Sequence, residues 1–309
     1  MNPEPIKVCC FVESRAEAKR KGYPSRASFL EQRVFTEATL NRLRACRAGI
    51  ALAAFAEEEG LDDIVRELNR QGVATDLWLN LPFEHGYWQS KANVAAARRE
   101  VFRLLNWIES ARLRVRNIGI DVEPEMELAP HLINLDFLRI IPRLLRVARP
   151  KNAQAQFELM IREINATHGV DIYKLPLIGS YSLSRRLFNL HSTPPFFHED
   201  PRNRVVSMLY SSLAPFHSSS FVERYIRSDE TPAIGIISSD RHNPGVELPS
   251  AKGRARSRLL SDELIARDVM QVKKIYRARK VSPSMYVFAL NGPGTLEKLE
   301  YAAAAAPRF

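Results

Sequence analysis

Eight short runs rich in aliphatic and β-branched residues recur along this chain, most of them separated by segments with helical spacing. They are IKVCCFVE (6–13), IALAAFAE (50–57), ATDLWLNL (74–81), NIGIDVE (117–123), VDIYKLPLI (170–178), RVVSMLYS (204–211), AIGIISS (233–239) and SMYVFAL (284–290). Strands that alternate with helices make parallel sheets, because a parallel pair needs a long crossover. Eight such units are the number that closes a parallel barrel. The expected fold is a single α/β domain, a (β/α)8 TIM barrel over residues 1–300, with the alanine-rich stretch 301–309 a frayed tail.

The intervening segments support this. ASFLEQRVFTEATLNRLRACR has apolar groups at helical spacing and stops before Gly49. LDDIVRELNRQG carries aspartates in its first turn and glycine at its end. KANVAAARREVFRLLNWIESARLR reads as a long amphipathic helix leading into the fourth strand. LDFLRIIPRLLRVAR and AQAQFELMIREINATHG read as two helices, and DELIARDVMQVKKIYRAR as the helix before the last strand. The connection over 179–203 and the piece SDRHNPGVELPSAKGRARS are long and irregular, the form that lids and binding loops take.

The net charge is +10, from 45 basic and 35 acidic residues, but the basic residues are spread along helices rather than gathered with aromatic platforms. Solvated helix faces are the favoured reading, and nucleic acid is not expected as a partner. Cys9, Cys10 and Cys46 fit buried thiols in a reducing compartment better than a disulfide framework. The start, MNPEPIKVCCFVES, lacks the pattern of a secretory signal, and no apolar run reaches spanning length. The expectation is a cytoplasmic protein that does not meet the membrane. The histidines are scattered and no pair of cysteines has zinc spacing, so no metal ligand is nominated. No phosphate-cradling glycine motif is present, so no cofactor is expected.

The chemistry gathers on the fourth run. In NIGIDVEP, Gly119, Asp121 and Glu123 alternate with Ile118, Ile120 and Val122. In a barrel, one parity faces the lumen, and the residues nearest the strand's C-terminus reach the mouth where barrel enzymes place their sites. Two carboxyls side by side push their pKa values apart, so one can keep its proton near neutral pH. A protonated carboxyl beside an ionised one is the equipment for cleaving a glycosidic bond. The plainer alternative is a structural pair inside the barrel, perhaps held by a lumen cation such as Lys174.

Gly119-Ile120-Asp121-Val122-Glu123-Pro124 resembles the fourth strand of family 18 glycoside hydrolases, the chitinases and endo-N-acetylglucosaminidases, whose pattern is D-x-x-D-x-D-x-E. Met208-Leu209-Tyr210 resembles the family's M-x-Y on the sixth strand, and Met285 to Asn291 resembles its eighth-strand stretch, with Phe288 where the family has tryptophan. Arg116 and Gly119 stand where the family has its first two aspartates, and Trp78-Leu79-Asn80-Leu81-Pro82 replaces its S-x-G-G.

The resemblance implies hydrolysis of a glycoside of an N-acetylated amino sugar. Glu123 would protonate the leaving oxygen, Asp121 would orient the substrate's acetamido group, and Tyr210 would hold that group's oxygen. Glu125 is the reserve acid, set aside because Pro124 is expected to end the strand. Trp78, Asn80, Trp88, Phe288, Asn291 and Glu13 complete the expected substrate-binding set. Trp88 belongs to the loop FEHGYWQS, whose aromatics either stack on sugar rings or anchor the loop itself. Two alternatives stay open: a carbohydrate-binding barrel without catalysis, and a metal-dependent sugar isomerase. Sugar identity, linkage, exo or endo action and oligomeric state are not encoded legibly.

Overall fold

In the computed structural model, the described residues are 7–123, 142, 152–174, 200–209, 230–235, 262–279, 284–288 and 290. Eight strands follow one another around a closed parallel barrel: β1 (Lys7–Val12), β2 (Gly49–Ala54), β3 (Thr75–Leu79), β4 (Asn117–Asp121), β5 (Gly169–Lys174), β6 (Arg204–Met208), β7 (Glu230–Gly235) and β8 (Ser284–Phe288). This is the (β/α)8 fold that the eight runs predict. The described helices are α1 (Arg15–Arg20), α2 (Arg26–Phe29), α3 (Glu37–Ala45), α4 (Leu61–Arg70), α5 (Val94–Ser110), α6 (Ala153–Asn165) and α7 (Asp262–Arg279). Among the described residues, no helix is long and apolar enough to cross a membrane.

Two local expectations need correction. The helix read through 27–47 is broken: α2 runs into a π-turn over Leu30–Val34, and α3 starts afresh at Glu37. Thr36 is the reason. Its hydroxyl accepts from the Thr39 amide at 3.4 Å, so it caps a new helix in mid-pattern. The seventh strand begins at Glu230, three residues before the expected start, with Pro232 inside it. Its register with β8 runs from Ala233 opposite Tyr286 to Gly235 opposite Phe288, so the proline precedes those pairs.

The chain forms two compact units: residues 1–52, 59–75 and 206–309 in one, and 53–58 with 76–205 in the other. In the first unit, β1 is flanked by β2 (Cys9 opposite Gly49) and by β8 (Cys9 opposite Tyr286). Its core holds Phe11, Leu30, Leu43, Ile50 and Tyr286, all buried, with the Phe11 and Tyr286 rings 5.2 Å apart. Ser207 on β6 hydrogen-bonds the buried Glu230 carboxylate on β7. The helix α4 matches its expectation closely, with Asp62 and Asp63 in the first turn and Gly72 at φ +73° just beyond its end.

In the second unit, β4 lies between β3 (Leu77 opposite Ile118) and β5 (Ile118 opposite Val170). Outside the sheet, α5 and α6 are tied by the Arg98–Glu163 ion pair. One face of this sheet carries an ionic network at its N-terminal end. Asp76, on β3, accepts from Arg116 Nε at 2.9 Å, from the Asn117 amide at 3.1 Å and from Arg204 at 3.3 Å. Asp171, on β5, accepts from Asn117 Nδ2 at 2.7 Å and from Arg204 Nε at 2.8 Å. Arg204 belongs to β6 and Asp76 to β3, which are not neighbours around the barrel. A side chain reaches between them only across the interior, so this face is the lumen.

Candidate active site at the end of the fourth strand

Register carries the lumen face upward from that network. Gly119 pairs with Asp171, and Asp121 with Tyr173. A Cβ on Gly119 would lie 2.3 Å from Tyr173 Cε2, so the glycine exists to make room for this ring. Tyr173 in turn meets Trp78 edge-on, with ring centroids 6.2 Å apart. Trp78, Gly119 and Tyr173 therefore pack together in the middle of this unit's lumen face. Asp121 comes next along β4, on the same face, toward the C-terminal end.

Asp121 and Glu123 are both buried, at 2% and 8% exposure, and their side chains hydrogen-bond each other. Burial pushes Glu123 from its ordinary 4.5 up to about 7, against the Asp121 hydrogen bond, which pulls it down. The pair titrates as a unit and holds a proton close to neutral pH. Alternation along β5 puts Lys174 on the opposite face from Tyr173, away from this pair.

Regular β4 ends at Asp121, two residues short of the expected strand, and a neighbouring loop continues the pairing. Gln89 forms an isolated parallel bridge with Val122. Its amide donates to the Asp121 carbonyl at 2.9 Å, and its carbonyl accepts from the Glu123 amide at 3.2 Å. Its side chain joins in: Oε1 accepts from the Asp121 amide at 2.8 Å, and Nε2 donates to the Leu79 carbonyl at 3.0 Å. A fully buried glutamine thus satisfies four backbone groups that a splayed strand pair leaves behind.

Asn80, the residue after β3, is 1% exposed, and neither Nδ2 nor Oδ1 has a hydrogen-bond partner among the described residues. A buried carboxamide in this state costs about 1–3 kcal/mol per unmet group, which a ligand supplying a donor and an acceptor would recover. By alternation along β3, Asn80 shares the lumen face with Trp78, at the level where β3 and β4 cease to pair.

The remaining nominated residues divide. Trp78 is buried against Tyr173 and shapes the lumen. Trp88 is half-buried, with its ring 5.7 Å from that of Tyr87. The loop 81–93 is held largely by itself: Asn93 Nδ2 donates to the carbonyls of His85 at 2.8 Å and Trp88 at 2.7 Å, and Phe83 stacks on Tyr87 at 4.9 Å. Anchoring, more than display, is the role of these aromatics, although Phe83 stays 49% exposed. Glu13 follows β1 and its carbonyl accepts from Arg26 Nε. Glu57, ending the second run, pairs with Arg103 at 3.0 Å. Tyr210, Glu125, Asn291 and the side chain of Phe288 lie outside the described residues. Among the described residues, no group of three or more His, Cys, Asp or Glu could hold a metal ion.

Sequence reasoning missed Tyr173 and Gln89. Tyr173 had a signal, since it stands on the parity of Asp171 opposite a strand glycine. Gln89 had none, because nothing local in FEHGYWQS distinguishes it from a loop glutamine.

The sequence matches no family profile and no curated protein. Solved structures do match. The endo-β-mannanase/endo-β-glucanase of Prevotella bryantii superposes with a TM-score of 0.50 at 12% identity, over 97% of this chain and 48% of that one. This chain therefore spans about half of that enzyme's length. A chitinase from Rhizomucor miehei gives 0.51 at 10% identity, over 96% and 99%. An L-ribulose 3-epimerase gives 0.43 at 8% identity, over 96% and 86%. At such identities the likeness is one of fold, and the chain shares the (β/α)8 barrel with glycoside-cleaving enzymes.

Proposed function

We propose that this protein is a glycoside hydrolase whose acid is Glu123 and whose assisting carboxyl is Asp121. The observation that carries the reading is the buried, mutually hydrogen-bonded pair at the lumenal end of β4, with Glu123 pushed up to about 7. A group titrating there is protonated often enough to act as an acid and ionised often enough to act as a base at neutral pH. Glycosidic cleavage is a chemistry hosted by barrels that uses such equipment. The fold does not choose the chemistry, so the reading rests on the carboxyl pair.

By its resemblance to family 18, the substrate is an N-acetylated amino sugar glycoside. Glu123 gives its proton to the leaving oxygen as the bond from that oxygen to the anomeric carbon breaks. The acetamido oxygen of the same sugar closes onto the anomeric carbon, with Asp121 stabilising the positive charge that develops on the acetamido group. Water then attacks that carbon, the ring so formed opens, and the water's proton returns to Glu123. Asn80, whose donor and acceptor have no partner among the described residues, is assigned to a sugar hydroxyl or amide, and Tyr210 to the acetamido oxygen.

Chromogenic N-acetylglucosaminides and a panel of other glycosides test this. Wild type is expected to hydrolyse at least one, with Glu123→Gln and Asp121→Asn each lowering kcat by about 10²–10⁴-fold. Absence of hydrolysis across the panel, with oligosaccharide binding retained, would replace the enzyme reading by a carbohydrate-binding barrel.

A further inference from the structure

Gln89 invites a role beyond filling space. Strands β3 and β4 pair directly from Leu77 opposite Ile118 to Leu79 opposite Ile120. The next bond of a parallel ladder would join the Leu79 carbonyl to the Asp121 amide. Here the Gln89 carboxamide is inserted between those two groups, at 3.0 Å and 2.8 Å. The strands are parted at the point where the carboxyl pair begins. The same residue's backbone then brackets the pair from the other side, through the Asp121 carbonyl at 2.9 Å and the Glu123 amide at 3.2 Å.

The residue is itself held in place. Asn93 Nδ2 holds the Trp88 carbonyl just before it, and Asn93 Oδ1 accepts from the Ser90 amide just after it, both at 2.7 Å. Loop 81–93 therefore presents Gln89 as a fixed wedge. No other residue among those described touches the backbone of both Asp121 and Glu123 in this way: β5 reaches Val122 between them, through the Tyr173 carbonyl at 3.0 Å.

We infer that Gln89 is a positioning residue for the carboxyl pair, parting β3 from β4 so that Asp121 and Glu123 share one dry, fixed geometry, and that loop 81–93 is the part of the fold that sets this geometry. The inference rests on reading Glu123 as the acid only for its effect on turnover; the wedge itself is a statement about Glu123's surroundings.

Two substitutions separate this from mere bulk. Gln89→Met keeps the length and removes both side-chain hydrogen bonds. Gln89→Asn keeps the carboxamide and withdraws it by one methylene, so that it cannot span both backbone groups. Gln89→Asn leaves a gap that admits water behind Asp121, and Gln89→Met leaves the Leu79 carbonyl and the Asp121 amide unmet, which draws water to the same place. Glu123 is followed by carbon-13 carboxyl NMR, assigned by its loss in Glu123→Gln. In each folded variant its titration is expected to move down toward its ordinary 4.5, and kcat to fall roughly 10–100-fold with KM changed less than about threefold. An unchanged Glu123 titration in a folded Gln89→Met protein overturns the proposal. So does failure of both variants to fold, which would make Gln89 a general support of the barrel. If wild type proves inactive on every glycoside, the proposed function falls while the titration test of the wedge still stands.

Discussion

The lumen face of β3, β4 and β5 holds two pairs of acids, and they are built in opposite ways. At the N-terminal end, Asp76 and Asp171 are fully buried, and donors gather on them: Arg116, Arg204, the Asn117 amide and the Asn117 side chain. At the C-terminal end, Asp121 and Glu123 are nearly as buried, but the group that acts on Glu123 is another carboxyl. One pair is surrounded by guanidinium and amide donors. The other is left to share a proton. Between them stand Gly119 and Tyr173, the layer that separates the two environments. The lesson is that burial alone says little about a carboxylate; the charge of what is buried with it decides whether it is structural or reactive.

The comparison can be broken at several points. Removing Arg204 should cost most, because it leaves Asp76 and Asp171 short of their shared cation in a place water reaches poorly. For Arg204→Met we expect a loss of about 3–5 kcal/mol, read by urea denaturation at pH 7. A small loss would show that Arg116 and Asn117 alone satisfy both acids.

The upper pair should show the opposite sign. Glu123 has a folded value of about 7 against an ordinary 4.5, so the native state binds more protons than the unfolded chain between those values. Stability from this group is complete below pH 4.5 and is lost as pH rises toward 7. Glu123→Gln removes the ionisable group, so the variant should be more stable than wild type at pH 8 by roughly 3 kcal/mol, and the difference should shrink as pH falls toward 4.5. Thermal melts of both proteins across that range check it. An acid whose removal stabilises the fold is one kept for chemistry rather than for structure.

Gly119→Ala attacks the partition itself. Its Cβ would meet Tyr173 Cε2 at 2.3 Å and the hydroxyl at 2.6 Å, so the ring must move, and overpacking of this kind costs about 1–3 kcal/mol. Because Tyr173 neighbours Asp121 in register, the variant should also disturb the upper pair more than the lower. The smallest effect belongs to a surface contrast. Arg66 on α4 lies 2.8 Å from both Asp62 and Asp63, yet Arg66→Ala should change stability by about 1 kcal/mol or less, since exposed pairs gain little.

Much of this was legible in the sequence. The eight runs located all eight strands because the period of apolar residues is a local property, and α4, α5, α6 and α7 followed from helical spacing in the same way. Asp121 and Glu123 were found because alternation places them on one face and a barrel gives that face a lumen. What escaped was set by contacts distant in sequence. The lower acids, Asp76 and Asp171, look from the sequence like any polar residue near a strand start, and only distant partners explain them, such as Arg116, 40 residues beyond Asp76, and Arg204, 128 residues beyond it. Gln89 acts through backbone groups ten and thirty-two residues away, a relation that no local pattern displays. The break at Thr36 was readable as a cap but was masked by the apolar spacing running through it.

The central claim is that Asp121 and Glu123 hold a proton near neutral pH, and the carboxyl titration of Glu123 tests it most directly. With carbon-13 label in glutamate side chains and the resonance assigned by Glu123→Gln, the account predicts a midpoint of about 7 that shifts on Asp121→Asn. A midpoint at the ordinary 4.5, indifferent to Asp121, would contradict it.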